Sequence, residues 1–168
     1  MVRIGVLGDS HGDIRSIKQA VSLAGIVDLW MHTGDFCRDA MVLATLTTAP
    51  VLMVAGNCDG RNEAKPDEFA QLAGFHIWLT HGHRHGVKQD THDLAAWALR
   101  YEADIVVYGH THQAANWDQG GIRFFNPGSV SHPRRPGRRS FGLLELQETP
   151  QKLLFQPISL PEGIVLQM

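Results

Sequence analysis

Cysteine is scarce in this chain. Cys37 and Cys58 are the only two in 168 residues, and they form neither a C-x-x-C pair nor a disulfide framework, so two reduced thiols are expected. Long apolar runs are missing as well. None approaches the roughly 18 residues of a membrane-spanning helix. The N-terminus enters a strand at Arg3-Ile4-Gly5-Val6, without an apolar signal segment and small-residue cleavage site. Charge of one sign is also lacking: 15 Lys and Arg against 17 Asp and Glu leave a net −2 at pH 7. No global field therefore points to nucleic acid or an anionic membrane. What remains is a globular protein expected in the cytoplasm. The length and the 43 % hydrophobic content predict a single domain over residues 1–168. Monomer and homo-oligomer are both compatible with the sequence.

The first half reads as β-α-β-α-β. Strands are predicted over 2–8, 27–32 and 51–55, with helices from Asp13 to Ala24 and over 38–48. In the first helix Ile14, Ile17, Ala20, Val21 and Ala24 fall on one face, with Asp13 as N-cap and Gly25 as stop. Such crossovers imply parallel strands packed between layers, as the doubly apolar run Val51-Leu52-Met53-Val54 requires. Phe69–Leu72 and Phe75–Thr80 flank Ala73-Gly74 as a hairpin. A third helix is predicted over Thr91–Tyr101 and a strand over 105–108. Antiparallel strands follow near 114–117, 122–125, 140–146 and 152–158, with turns at Gly120-Gly121 and Thr149-Pro150. The expected fold is α/β, a sandwich of two mixed sheets with helices outside.

Five of the apolar strands end in turns rich in metal-ligating residues. These are Gly8-Asp9-Ser10-His11-Gly12, Gly34-Asp35, Gly56-Asn57-Cys58-Asp59, His81-Gly82-His83 and Gly109-His110-Thr111-His112. In the last, two imidazoles stand two residues apart, a spacing that shares one face of a strand. Ligands in parallel sheets gather beyond the carboxyl ends of the strands, and every one of these turns lies there. The donors suit two metal ions. Asp9, His11 and His112 would hold the first; Asn57, His81 and His110 would hold the second. Asp35 would bridge them, since two divalent cations about 3.5–4 Å apart need a shared anion. Mixed imidazole and oxygen donors favour manganese, with nickel, iron or zinc as alternatives. A water between two such ions loses a proton near neutral pH, which gives the expected nucleophile.

Those five turns resemble the motifs of the calcineurin-like metallophosphoesterases, and the chain is similar to the small YfcE-type phosphodiesterases of bacteria and archaea. The resemblance covers about residues 1–130 and includes Asn126-Pro127-Gly128-Ser129. It implies the two-sheet sandwich of that family, a dinuclear centre and hydrolysis of a small phosphoester. Where the wider superfamily carries His in the third motif, to stabilise the transition state or protonate the leaving group, this chain has Cys58. A thiol is the weaker donor, so good leaving groups or another proton donor are expected. His83 is the candidate, with a solvent-exposed or merely supporting His as the alternative. Phe36-Cys37-Arg38-Asp39 departs from the Asp-Arg-Gly pattern of protein Ser/Thr phosphatases.

The expected activity is therefore metal-dependent phosphodiester hydrolysis, with Asp35, Asn57, Cys58 and His83 as the residues nearest the chemistry. One rival is a phosphomonoesterase or nucleotidase. Another is a non-catalytic scaffold similar to the metallophosphoesterase-like retromer subunit; that branch tends to lose an imidazole in the site, whereas His11 is present here. Of the other histidines, His32 reads as structural, His76 as solvent-facing, and His85 and His92 as surface or loop residues. His132 sits in a loop near the mouth with no assigned role. Trp117 and Phe124 read as sheet packing. Arg134, Arg135, Arg138 and Arg139 form the one dense basic segment, made irregular by Pro133, Pro136 and Gly137. It reads as a solvated loop or, alternatively, a phosphate-binding rim.

Overall fold

A computed structural model describes residues 1–60, 62–149 and 151–162; Pro150 of the expected Thr149-Pro150 turn lies outside them. The elements run β1 (Val2–Leu7), α1 (Ile14–Ala24), β2 (Leu29–His32), α2 (Cys37–Leu46), β3 (Val51–Met53), β4 (Asp67–Leu72) and β5 (Phe75–Thr80). A one-turn 3₁₀ helix at His83–His85 leads to α3 (His92–Arg100), then β6 (Ile105–Val107), β7 (Ala114–Gln119), β8 (Ile122–Pro127), β9 (Ser140–Gln147) and β10 (Lys152–Ser159). No described helix is long and apolar enough to cross a membrane.

Two five-stranded mixed sheets pack face to face, ordered β10-β9-β1-β2-β3 and β4-β5-β6-β8-β7. Strand alternation explains the layers. Ile4, Val6 and Met31 of the first sheet and Ile77, Leu79, Ile105, Val107 and Phe125 of the second point inward and form the central core. The alternate residues Leu7 and Trp30 face Ile17, Ala20 and Leu43 of α1 and α2. On the far side Trp78, Val106 and Phe124 face Leu94 and Ala98 of α3. The result is the expected α-β-β-α order. Each fully buried side chain of this kind contributes about 1.5–3 kcal/mol, so packing of the sandwich fixes which strand ends meet at its edge.

Local chemistry sets the element ends. Asp13 caps α1 by accepting from the Ser16 N–H at 3.0 Å, and Gly25 ends it at φ 66°. Ala73 and Gly74 both take positive φ, 48° and 77°, which makes the tight β4–β5 turn. Trp117 stacks on its cross-strand partner Phe124 at 3.9 Å, as expected of sheet packing. The C-terminal strands form the expected antiparallel pairs β7–β8 and β9–β10, with one parallel contact besides. β8 pairs antiparallel with β7 but parallel with β6, while β9 crosses back to pair antiparallel with β1. β6 and β8 are both buried on two faces, which favours parallel pairing inside the sandwich.

Candidate metal centre

β1, β2 and β3 run parallel in one sheet, and β5, β6 and β8 in the other. Their carboxyl ends open on one edge of the sandwich, and the turns that follow carry all seven expected ligands. These turns are not extended. Asp9, His11, Asp35, His110 and His112 adopt φ of 50°, 46°, 56°, 69° and 58°. Among the described residues only Phe36, Ala73 and Glu102 are further non-glycine residues at positive φ. Asp and His tolerate this region better than most residues, yet such conformations persist only where the surroundings enforce them. His110 and His112 therefore do not share a strand face: β6 has ended at Val107, and the left-handed turn sends the two rings to different partners.

Two sets of donors form, joined by Asp35. Ligand atoms of Asp9, His11, Asp35 and His112 all lie within 4.8 Å of one another, as do those of Asp35, His81 and His110. His11 Nε2 is 3.3 Å from His112 Nε2 and 3.8 Å from the Asp35 carboxylate. His81 Nε2 is 3.1 Å from His110 Nδ1, 3.2 Å from Asn57 Oδ1 and 3.4 Å from the Asp35 carboxylate. Cys58 and His83 flank the second set. The Cys58 N–H donates to Asp35 Oδ1 at 2.9 Å, and the His83 ring lies 5.2 Å from His81 and 6.0 Å from His110.

Tautomers decide what these short distances mean. His81 Nδ1 lies 2.7 Å from the Thr33 carbonyl and His112 Nδ1 lies 2.7 Å from the His132 carbonyl. A carbonyl only accepts, so both Nδ1 atoms carry the proton and both Nε2 atoms present lone pairs. His81 Nε2 then faces the Asn57 carbonyl oxygen lone pair to lone pair. Asp9 Oδ1 is fully buried without a hydrogen-bond donor, while Oδ2 accepts from the His110 N–H at 2.9 Å. A buried carboxyl group with an orphaned oxygen and converging lone pairs is what a cation would resolve. The residues present fit divalent metal binding.

Electrostatics agree. Burial lowers the His81 and His110 pKa values to about 4, and lowers His112 as well, so the imidazoles stay neutral and able to ligate. Burial, reinforced by the Asp35 charge, raises Asp9 well above the usual carboxylate range. Burial also acts to raise Asp35, but the His81 ring and the Cys58 N–H outweigh it and hold the group lowered. Burial, with the Asp35 charge, pushes the exposed Cys58 thiol up to about 11. It lowers the His83 imidazole, whose Nδ1 is buried without a partner.

Several residues position the ligands in roles their sequence did not specify. Asp39 accepts from the Gly12 N–H at 2.8 Å, which ties α2 to the His11 turn. Asp59 accepts from the N–H groups of Cys37 (2.7 Å) and Gly56 (2.8 Å), linking two motif turns. Asn126 donates to the Gly109 carbonyl at 3.0 Å and to Thr111 Oγ1 at 3.1 Å, bracing the turn that holds His110 and His112. Gly56 is required because an added Cβ there would run into the Asp35 carboxylate. His32 is structural as expected: buried, lowered to about 4 by that burial, accepting from the Gly34 N–H at Nδ1 and facing Ser10 Oγ at 3.2 Å. His76 and His92 are exposed. His85, expected as a surface or loop residue, lies in the short 3₁₀ turn but is buried edge-on against Trp78, with Nδ1 2.7 Å from the Asp93 carboxylate. Alternation could not reveal this, because His85 lies in the unanticipated 3₁₀ turn. Cys37 is a buried free thiol and Cys58 an exposed one.

Residues 2–149 match the calcineurin-like phosphoesterase superfamily domain. Over 146 residues the chain is 34 % identical to the probable metallophosphoesterase YsnB of Bacillus subtilis strain 168, covering 84 % of this chain and 83 % of that protein. It is 35 % identical over 103 residues to the phosphodiesterase YfcE of Escherichia coli strain K12, covering 56 % and 52 %. Vps29 of Entamoeba histolytica, solved in complex with zinc, superposes with a TM-score of 0.73 at 24 % identity over 93 % of this chain and 98 % of that one, a likeness of fold alone. With its strand-end ligand turns and two-sheet sandwich, this chain belongs to the calcineurin-like phosphoesterase superfamily.

Proposed function

We propose that this protein is a dinuclear metal-dependent phosphodiesterase acting on a small phosphoester in the cytoplasm. The observation that carries the reading is the pair of donor sets sharing Asp35, with imidazole lone pairs already aimed inward. Asp9, His11 and His112 would hold one cation, Asn57, His81 and His110 the other, and Asp35 both. When bound, the cations, manganese in preference to nickel, iron or zinc, supply Lewis acidity toward the phosphoryl group and acidify water. The chain's own part is positioning. The Thr33 and His132 carbonyls fix the tautomers of His81 and His112, and the Cys58 N–H orients Asp35. Preorganised donors of this kind stabilise charge without reorganising during reaction. The Cys58 thiol, protonated at neutral pH, stands ready to deliver a proton to the departing oxygen, whereas the His83 imidazole beside Asn57, lowered by burial, would first have to take one up. The likeness to a named phosphodiesterase supports diester over monoester hydrolysis.

The test is hydrolysis of bis-p-nitrophenyl phosphate and p-nitrophenyl phosphate, side by side, with added manganese, nickel, iron or zinc and with chelator. Chelator-sensitive turnover favouring the diester is expected. Faster monoester turnover would make the protein a phosphomonoesterase, and no turnover with any of the four metals would favour the scaffold reading.

A further inference from the structure

Two clefts flank the metal centre, and they differ in charge. On the His81 side a cavity of about 500 Å³ is lined by Asn57, Asp59, His83 and Arg84. Among the described residues its cationic side chain is Arg84, already paired with Asp67 at 3.1 Å, and Asp59 adds a carboxylate. On the other side a cavity of about 390 Å³ begins at His112 and is lined by Gln113, Arg134, Arg138, Ser140 and Ser159, with no acid among the described residues of its wall. Both arginines are exposed, and among the described residues neither side chain has a carboxylate or hydrogen-bond partner. The segment 131–140 carries four arginines and no acid within a chain of net charge −2.

This basic wall is anchored to the centre. The Arg134 N–H donates to the His112 carbonyl at 3.1 Å, and His112 Nδ1 donates back to the His132 carbonyl. At the far end Arg139 donates to Ser16 Oγ at 2.7 Å and to the Pro161 carbonyl at 2.6 Å. Arg139 thus secures the loop, while Arg134 and Arg138 are left to face the cleft. A solvated loop would not need to be tied to a ligand residue at one end and to a helix at the other.

We infer that the Arg134–Arg138 cleft is an anion subsite, so that the substrate is a phosphodiester with a second phosphate-like group on one arm. The arm would lie from His112 toward Arg134 and Arg138, where guanidinium forks suit phosphoryl oxygens. This rests on the hydrolytic reading above, and the experiment separates the two.

Inorganic pyrophosphate is titrated calorimetrically into the metal-free protein in chelator, at low salt. The Arg134→Ala/Arg138→Ala variant is expected to bind about tenfold more weakly, from loss of two charge-assisted contacts. Arg134→Lys/Arg138→Lys, which keeps the charge, should recover most of the affinity. Equal affinity in all three proteins, or no binding to any, overturns the subsite. In parallel, propyl p-nitrophenyl phosphate is compared with its 3-phosphonopropyl counterpart on the manganese-loaded enzyme. The second anion should raise kcat/KM about tenfold through KM, and the double Ala variant should bring the ratio close to one. An unchanged ratio in that variant also overturns the subsite. Failure of both esters to react with any metal would instead remove the hydrolytic reading, with the pyrophosphate titration still deciding the subsite.

Discussion

Asp9, His11, Asp35 and Asn57 reach the centre from turns of the first sheet, whereas His81, His110 and His112 reach it from the second. The first side supplies every oxygen donor and all of the negative charge. The second supplies only imidazoles, kept neutral by burial. Each donor set draws from both sides, and Asp35 stands between them, 3.4 Å from His81 and 3.8 Å from His11. Neither sheet is a metal site by itself. The face-to-face core therefore does functional service as well as structural, because it sets the register of the two half-sites.

Breaking the element common to both sides should have the largest effect. Asp35→Asn keeps the shape but removes the shared charge, and turnover per bound metal is expected to fall about a thousandfold, as several kcal/mol of transition-state stabilisation are lost. Steady-state hydrolysis with metal content measured on the same sample checks this. Removing one half comes next. His81→Ala should lower metal stoichiometry from two toward one, leaving the His11–His112 set, as read by atomic emission after dialysis. Loosening a brace should matter less. Asn126→Ala frees the Gly109–His112 turn and should cost about 10–100-fold in activity or metal affinity, the range usual for residues that orient ligands.

The smallest effect sharpens the contrast between two buried histidines. His32 and His81 are both lowered to about 4, but His32 spends both ring nitrogens on the Gly34 N–H and Ser10 while His81 offers one to the site. The folded pKa of His32 lies below its unfolded value of about 6.5, so the unfolded chain binds the extra proton. The contribution of His32 to stability is thus complete above about pH 6.5 and declines as pH falls toward 4, by up to about 1.4 kcal/mol per pH unit. Urea unfolding of the metal-free protein at stepped pH should show a shallower slope in His32→Asn than in the parent.

Much of this edge was legible in the sequence because apolar runs mark strands, and strand ends in parallel sheets mark ligand positions. Asp9, His11, Asp35, Asn57, His81, His110 and His112 all lie where that reasoning placed them. What it did not foresee was conformation. The left-handed turns at five of these residues follow from tertiary contacts, not from local periodicity. Asp39 looks like an ordinary polar residue in sequence, and Asp59, though part of a ligand turn, does not show its partners there, since both accept N–H groups from turns distant in the chain. The parallel pairing of β8 with β6 escaped for the same reason. A strand records its own alternation, but not which neighbour it will find.

The central claim, a pair of cations held between two half-sites, is tested most directly by anomalous diffraction from crystals soaked in manganese. Two peaks are expected, one on each side of Asp35, with His11 and His112 at the first and Asn57, His81 and His110 at the second. A lone peak away from Asp35, or ligands turned outward with no ordered ion, would contradict it.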